Sequence, residues 1–214
     1  MEKNRYKVVA VLSLVIAVVA LSVGFASYTA TLNIENASAT ATASDTFSPN
    51  VQYQQGSLTC VKTGTQTSVS SEGELNDVSH ATVWRNAAVT LSGPGDSVTC
   101  TATVENNSTF VAYLKAITIA SPLTCAPVTQ NATLQNLTDA CGDIDLTVNE
   151  GTASATADSS AVSNATINDG SVSIAASGSQ DVSFTIAYPA GSHVTDGDFK
   201  VTIPTITFRY ETVR

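Results

Sequence analysis

The chain has 214 residues and carries nine basic against eighteen acidic side chains, a net charge of −9. That balance excludes a nucleic-acid binder that works by neutralising phosphates, and a charged fraction of only 13% excludes a coiled coil. Serine and threonine together number 55, whereas Trp and Met occur once each, so the apolar character is concentrated in few places.

The first of those places is the N-terminus. Lys3, Arg5 and Lys7 precede an uncharged run over 8–26, VVAVLSLVIAVVALSVGFA. A positive flank, an apolar stretch and small residues at Gly24 and Ala26 make an export signal, with the cut expected between Ala26 and Ser27. As a helix the run spans about 28 Å, close to the ~30 Å hydrocarbon core, so it equally fits a retained transmembrane anchor. In either case the basic flank holds the N-terminus inside and sends the rest outward, to the cell surface or into the medium. Residues 1–26 are thus expected as signal peptide or anchor, 27–46 as a first strand with an Ala/Ser/Thr-rich segment, and 47–214 as the folded domain. No other apolar run is as long, so any contact with the membrane is expected at the N-terminus. Beyond residue 26 the chain holds six basic against seventeen acidic side chains, which describes a solvated, self-repelling surface.

All four cysteines, Cys60, Cys100, Cys125 and Cys141, fall in the exported part. An even count in an oxidising compartment favours two disulfides, and no CxxC or HxxxH spacing suggests a metal instead. Three pairings are possible. The preferred one joins Cys125 to Cys141, closing a short loop with Pro and Asn, and Cys60 to Cys100.

After residue 34 helical periodicity is nearly absent and period-two alternation recurs. Tyr28, Ala30, Leu32 and Ile34 alternate with Thr29, Thr31 and Asn33 as a first strand. Residues 51–62 and 82–91 give two more, the second with Val83, Ala87, Val89 and Leu91. Gly93-Pro94-Gly95-Asp96 marks a turn. Val98, Cys100, Ala102 and Val104 then share one face of a strand with threonines opposite. Glu105-Asn106-Asn107-Ser108 turns again, and Val111, Tyr113, Ile117 and Ile119 lead the returning strand. Lys115 breaks that face, which points to an edge position or a twist. Residues 149–166 lack large apolar groups and predict an exposed loop. Val172 and Ile174 form a short strand, Ser177-Gly178-Ser179 turns, and Val182, Phe184, Ile186 and Tyr188 alternate. In the last strand Phe199, Val201 and Ile203 hold one parity while Ile206, Phe208 and Tyr210 hold the other. Pro204 between them predicts a bulge or bend that keeps both sets inward. The fold class is all-β: an antiparallel Ig-like or jelly-roll-like β-sandwich preceded by one N-terminal hydrophobic helix.

Three passages carry a resemblance. The leader ending GFASYTATLNI, the run Pro94-Gly95-Asp96-Ser97-Val98 with Val104-Glu105-Asn106-Asn107, and the closing VTIPTITFRYE resemble the TasA and camelysin family of biofilm-matrix proteins. In that family a special signal peptidase cuts after a small residue followed closely by an aromatic, an arrangement similar to Gly24-Phe25-Ala26 and Ser27-Tyr28. The resemblance implies an exported sandwich whose N-terminal strand completes a neighbour's sheet in an extracellular fibre. The donor strand would then be Tyr28, Ala30, Leu32 and Ile34. Strand addition supplies main-chain hydrogen bonds while alternate side chains fill pockets. Pairing of this strand within its own domain is the competing expectation.

Catalytic signatures are missing from the sequence: neither HExxH nor GxSxG occurs. No catalytic residue, metal or cofactor is expected. Asp143 with Asp145, and Asp196-Gly197-Asp198, are oxygen-rich turns that read as solvated and not as calcium ligands. Glycosylation sequons stand at Asn36, Asn106, Asn107, Asn131, Asn136 and Asn164. Two functional readings follow. The first is a non-enzymatic cell-surface structural protein, a self-assembling matrix or fibre subunit. The second is a surface binding module for a glycan or protein partner, which calls for an exposed aromatic at Trp84 or Tyr53.

Overall fold

A computed structural model of the chain describes residues 29–34, 50–64, 68–70, 74–75, 83–85, 88–129 and 133–212, with side chains at 50–64, 88–129 and 133–212. The signal or anchor segment, with Ala26 and Ser27, lies outside the described residues. Among those described, the chain is mostly strand, its sheets antiparallel apart from one two-residue parallel pairing, with one short helix.

In chain order the strands begin with β1 (Thr29–Ile34), β2 (Val51–Tyr53), β3 (Thr59–Thr63), β4 (Ser68–Ser70), β5 (Glu74–Leu75), β6 (Val83–Arg85) and β7 (Ala88–Leu91). The long central pair β8 (Ser97–Asn106) and β9 (Ala112–Ile119) follows, then β10 (Thr124–Pro127) and the six-residue helix α1 (Leu137–Gly142). Next come β11 (Asp145–Glu150), β12 (Ala153–Ala157), β13 (Val162–Ser163), β14 (Ala165–Thr166) and β15 (Ser173–Ile174). The last are β16 (Ser179–Ala187), β17 (Phe199–Thr202) and β18 (Ile206–Glu211).

One sheet runs β13-β12-β11-β16-β8, with β2 and β3 both on the far side of β8. A second runs β9-β18-β1-β6-β5, with β14 and β15 on the outer side of β9, and a third runs β10-β17-β7-β4. The second and third are halves of a split sheet. β9 leads into β10, β17 into β18, β6 into β7 and β4 into β5, so each member of the third sheet has its chain neighbour in the second. The two halves differ at one place. In the third sheet β17 pairs directly with β7, whereas in the second β1 stands between β18 and β6.

The split at β17 and β18 is made by Pro204. Proline has no N–H for the ladder and forces a break. The break restores parity: Phe199, Val201 and Ile203 before it, and Ile206, Phe208 and Tyr210 after it, are all buried. On β8 the predicted face is also buried, with Val98, Cys100, Ala102 and Val104 inside and the threonines half-exposed. Val182, Phe184, Ile186 and Tyr188 along β16, and Val172 and Ile174 around β15, join the same core cluster.

Three expectations are corrected. Residues 149–166 are not an exposed loop: Ala153, Ala155 and Ala157 of β12 point inward while Ser154 and Thr156 point out. Alanine fills an inward slot without large apolar volume, which is why the segment looks structureless by size alone. On β9 the buried residues are Ala112, Leu114, Ile117 and Ile119, whereas Val111 and Tyr113 are only half-buried. The cause is a bulge. Arg209 pairs with Ala116 and Tyr210 with Leu114, so Lys115 is the extra residue that shifts parity. Lys115 therefore marks no edge, because β9 is paired on both sides. Lastly, Tyr53 is fully buried and offers no exposed platform.

Both ends of β8 are pinned by polar side chains that have left solvent. At its start Asp96 Oδ2 accepts from the backbone N–H groups of Ser92 and Gly93 at 2.9 and 3.0 Å, closing the predicted turn. Gly64, at φ +113°, lies so near that a Cβ there would meet Asp96 Oδ1 at 1.9 Å. At the other end Asn106 Nδ2 donates to the carbonyls of Phe110, Ile174 and Ala175, and its Oδ1 accepts from Ser108. The Asp and Asn of the middle passage thus serve as structural clamps, and the Asn106 sequon is buried.

Candidate functional site

The slot holding β1 comes first. Its register with β18 is continuous over six residues, from Thr29 opposite Glu211 to Ile34 opposite Ile206. Among the donor-strand candidates, Ala30, Leu32 and Ile34 stand opposite Tyr210, Phe208 and Ile206, whose side chains are fully buried. Tyr28 lies outside the described residues. The other flank is shorter and parallel, Asn33 opposite Val83 and Ile34 opposite Trp84. The side chain of Trp84 is outside those described, as is His80.

Beneath this slot sits a buried polar cluster. Leu146, Val148 and Glu150 occupy successive inward positions of β11, so Glu150 takes a place that period-two packing gives to an apolar residue. Tyr210 of β18 donates its hydroxyl to Glu150 Oε2 at 2.5 Å. Glu150 Oε1 and the Tyr53 hydroxyl are buried without a hydrogen-bond partner. Burial pushes the Glu150 carboxyl up from its ordinary 4.5 to about 7, while the bond from Tyr210 pulls it back down. Burial and the nearby carboxyl raise both phenols above their ordinary range. An ionised carboxylate with an unsatisfied oxygen in a dry core is costly, so the group holds its proton into the neutral range.

At the opposite end the polar contacts are exposed. The backbone N–H and the ring Nδ1 of His193 both approach Asp143 Oδ2, at 2.7 and 2.8 Å. These bonds hold the Asp143 carboxyl below its usual range and raise the His193 imidazole above its own. Tyr188, edge-on to Phe199 at 5.5 Å, donates its hydroxyl to the His193 carbonyl. Asp196 Oδ1 accepts from the Gln135 N–H at 2.9 Å. Two of the aspartates considered as calcium ligands are therefore engaged in tying loop 188–198 to the segment around α1. Among the described residues no group of three or more His, Cys, Asp or Glu is placed to hold a metal ion.

The cysteines pair as preferred from the sequence. Cys60 of β3 bonds Cys100 of β8 directly across the ladder, and Cys125 of β10 bonds Cys141 of α1. With every cysteine paired, the chain fits an oxidising, extracytoplasmic environment.

Sequence reasoning missed Glu150. Its signal was present in the row Leu146, Val148, Glu150, an acid at the third inward step, but it fell where a loop was expected. No family model, curated protein or solved structure matches the chain.

Proposed function

We propose that this is a non-enzymatic, exported cell-surface structural protein, an antiparallel β-sandwich whose copies assemble into fibres by exchanging strand β1. The sandwich reading is supported by a single apolar core to which the five-strand run through β8 and the split sheet both contribute. The exchange reading rests on one observation: β1 fills a gap between β18 and β6 that the other half of the same sheet closes without it. A strand in such a gap makes the same ladder whether it comes from its own chain or from an identical neighbour, so exchange preserves the hydrogen bonds and buried partners. A strand donated forward from each copy to the next makes a heterologous contact, which propagates as a filament. The leader expected from the sequence and the paired cysteines support a position outside the cytoplasm, where such a filament would form.

Electron microscopy of concentrated protein beginning at Ser27 tests the assembly. Filaments are expected, and they should disappear when 27–34 is removed and return when that segment is supplied as a peptide fused to another copy. Particles that stay monomeric at high concentration with 27–34 intact would overturn it.

A further inference from the structure

We propose that Glu150 is a proton-operated latch on strand β1: with the carboxyl protonated the slot is closed, and with the carboxyl ionised β1 is released more readily for exchange. The control of exchange rests on the function proposed above, whereas the latch itself does not.

Three elements converge on the carboxyl. Glu150 closes β11, Tyr210 reaches it from β18, and Tyr53 from β2 titrates under its influence. β1 touches two of these elements: Ala30 pairs with Tyr210, and β1 also lies against β2. Across its own two ladders Glu150 faces Ala153 of β12 and Val182 of β16, which do not titrate. Among the described residues the only ionisable partners facing it are the two phenols, both protonated throughout the range in question. No cationic side chain among those described stands ready to compensate the charge when it appears. Tyr210 satisfies one oxygen, and the second stays bare unless water reaches it.

The least costly way to admit water is to open an element held on few sides. β11, β12 and β16 are joined in consecutive antiparallel pairs in the sheet interior. β1 has only one chain connection to the described fold, and its pairing with β6 covers two residues. Parting β1 from β18 uncovers the backbone at Tyr210, the strand that carries the one donor to Glu150. The acid is therefore placed to make the opening of this strand, ahead of global unfolding, depend on pH.

Hydrogen exchange on the full-length chain, dilute and in detergent micelles, reads this directly. The amides of 29–34 are compared with those of β8 at pH 5.5 and pH 8.5, after correction for intrinsic exchange. Protection of 29–34 is expected to lie below that of β8 at both pH values, so that the strand opens ahead of global unfolding, and to fall at least about ten-fold between the two, and Glu150→Gln should abolish the fall. Tyr210→Phe keeps the acid but removes a donor to its ionised form, so the midpoint should move to higher pH. Protection of 29–34 no lower than that of β8, which would mean the strand opens only with the whole fold, or a fall that persists in Glu150→Gln, would overturn the latch. Should that variant not fold, an unmoved midpoint in Tyr210→Phe overturns it instead. Electron microscopy of the concentrated protein beginning at Ser27, at the same two pH values, separates the two proposals. pH-dependent protection without filaments at any pH leaves the latch standing and removes the fibre. Filaments with β1 indifferent to pH do the reverse.

Discussion

In the half of the split sheet made by β10, β17, β7 and β4, the strands close directly on one another; in the half made by β9, β18, β6 and β5, β1 stands between β18 and β6. The first half is tied. Cys125–Cys141 fastens β10 to α1, Phe199 packs edge-on against Tyr188, and the polar contact that Tyr188 joins, Asp143 with His193, lies at the surface. The second half faces buried polar groups of the other sheet: Tyr210 of β18 bonds Glu150 of β11, and Glu150 and Tyr53 of β2 each leave an atom unpartnered. The same strands, continued past a break, thus close directly on one side and around β1 on the other. Unsatisfied buried groups mark places where packing has been given up for another purpose.

The contrast breaks most severely at Phe199. Truncation of this fully buried ring to alanine removes the centre of the tied half and should lower stability by about 3–5 kcal/mol, measured as a shift in denaturant midpoint. The loss should be the same at pH 5 and pH 8, because Tyr188, the ionisable group against which the ring packs, keeps its proton at both.

Glu150 sharpens the comparison from the other side. The folded chain holds its proton to about 7 and the unfolded chain only to 4.5, so the folded state binds the proton more tightly. Stability therefore falls as pH rises from about 4.5 to about 7, by roughly 3 kcal/mol, and is level above that. Glu150→Gln should flatten this slope and melt higher than the parent at pH 8. A parent whose unfolding midpoint is unchanged across this window would refute the assignment.

The smallest effect belongs to the exposed pair. His193 is raised and Asp143 lowered, so their tie contributes fully between the two titrations. It is lost as pH rises through the His193 value above 6.5, and again as pH falls through the Asp143 value below 3.8. His193→Ala should leave the melting temperature nearly unchanged while loosening loop 188–198, visible as faster amide exchange there. A surface pair screened by solvent has little else to give.

Much of this was legible in the residues themselves. Alternation is a local property, so the inward rows of β8, β16 and the two parts of the closing strand could be read directly, and Pro204 announced its own break. The turn at Gly93–Asp96 was readable for the same reason, whereas the cysteine pairing was a preference among three that the folded strands decided. The errors arose where local rules are silent. Alanines of β12 are too small to signal burial, and the bulge at Lys115 appears only when β9 is laid beside β18.

What the sequence by itself determined is a chain of short alternating strands with paired cysteines, because side-chain parity and turn chemistry act over a few residues. Which strand fills the gap beside β18, and that Glu150 ends buried against Tyr210 and within the electrostatic reach of Tyr53, were decided only by tertiary structure. Tyr53, Glu150 and Tyr210 lie far apart along the chain, and nothing but the folded sheets brings them together. The burial that holds a proton on a carboxyl belongs to that assembled surrounding and not to any one segment.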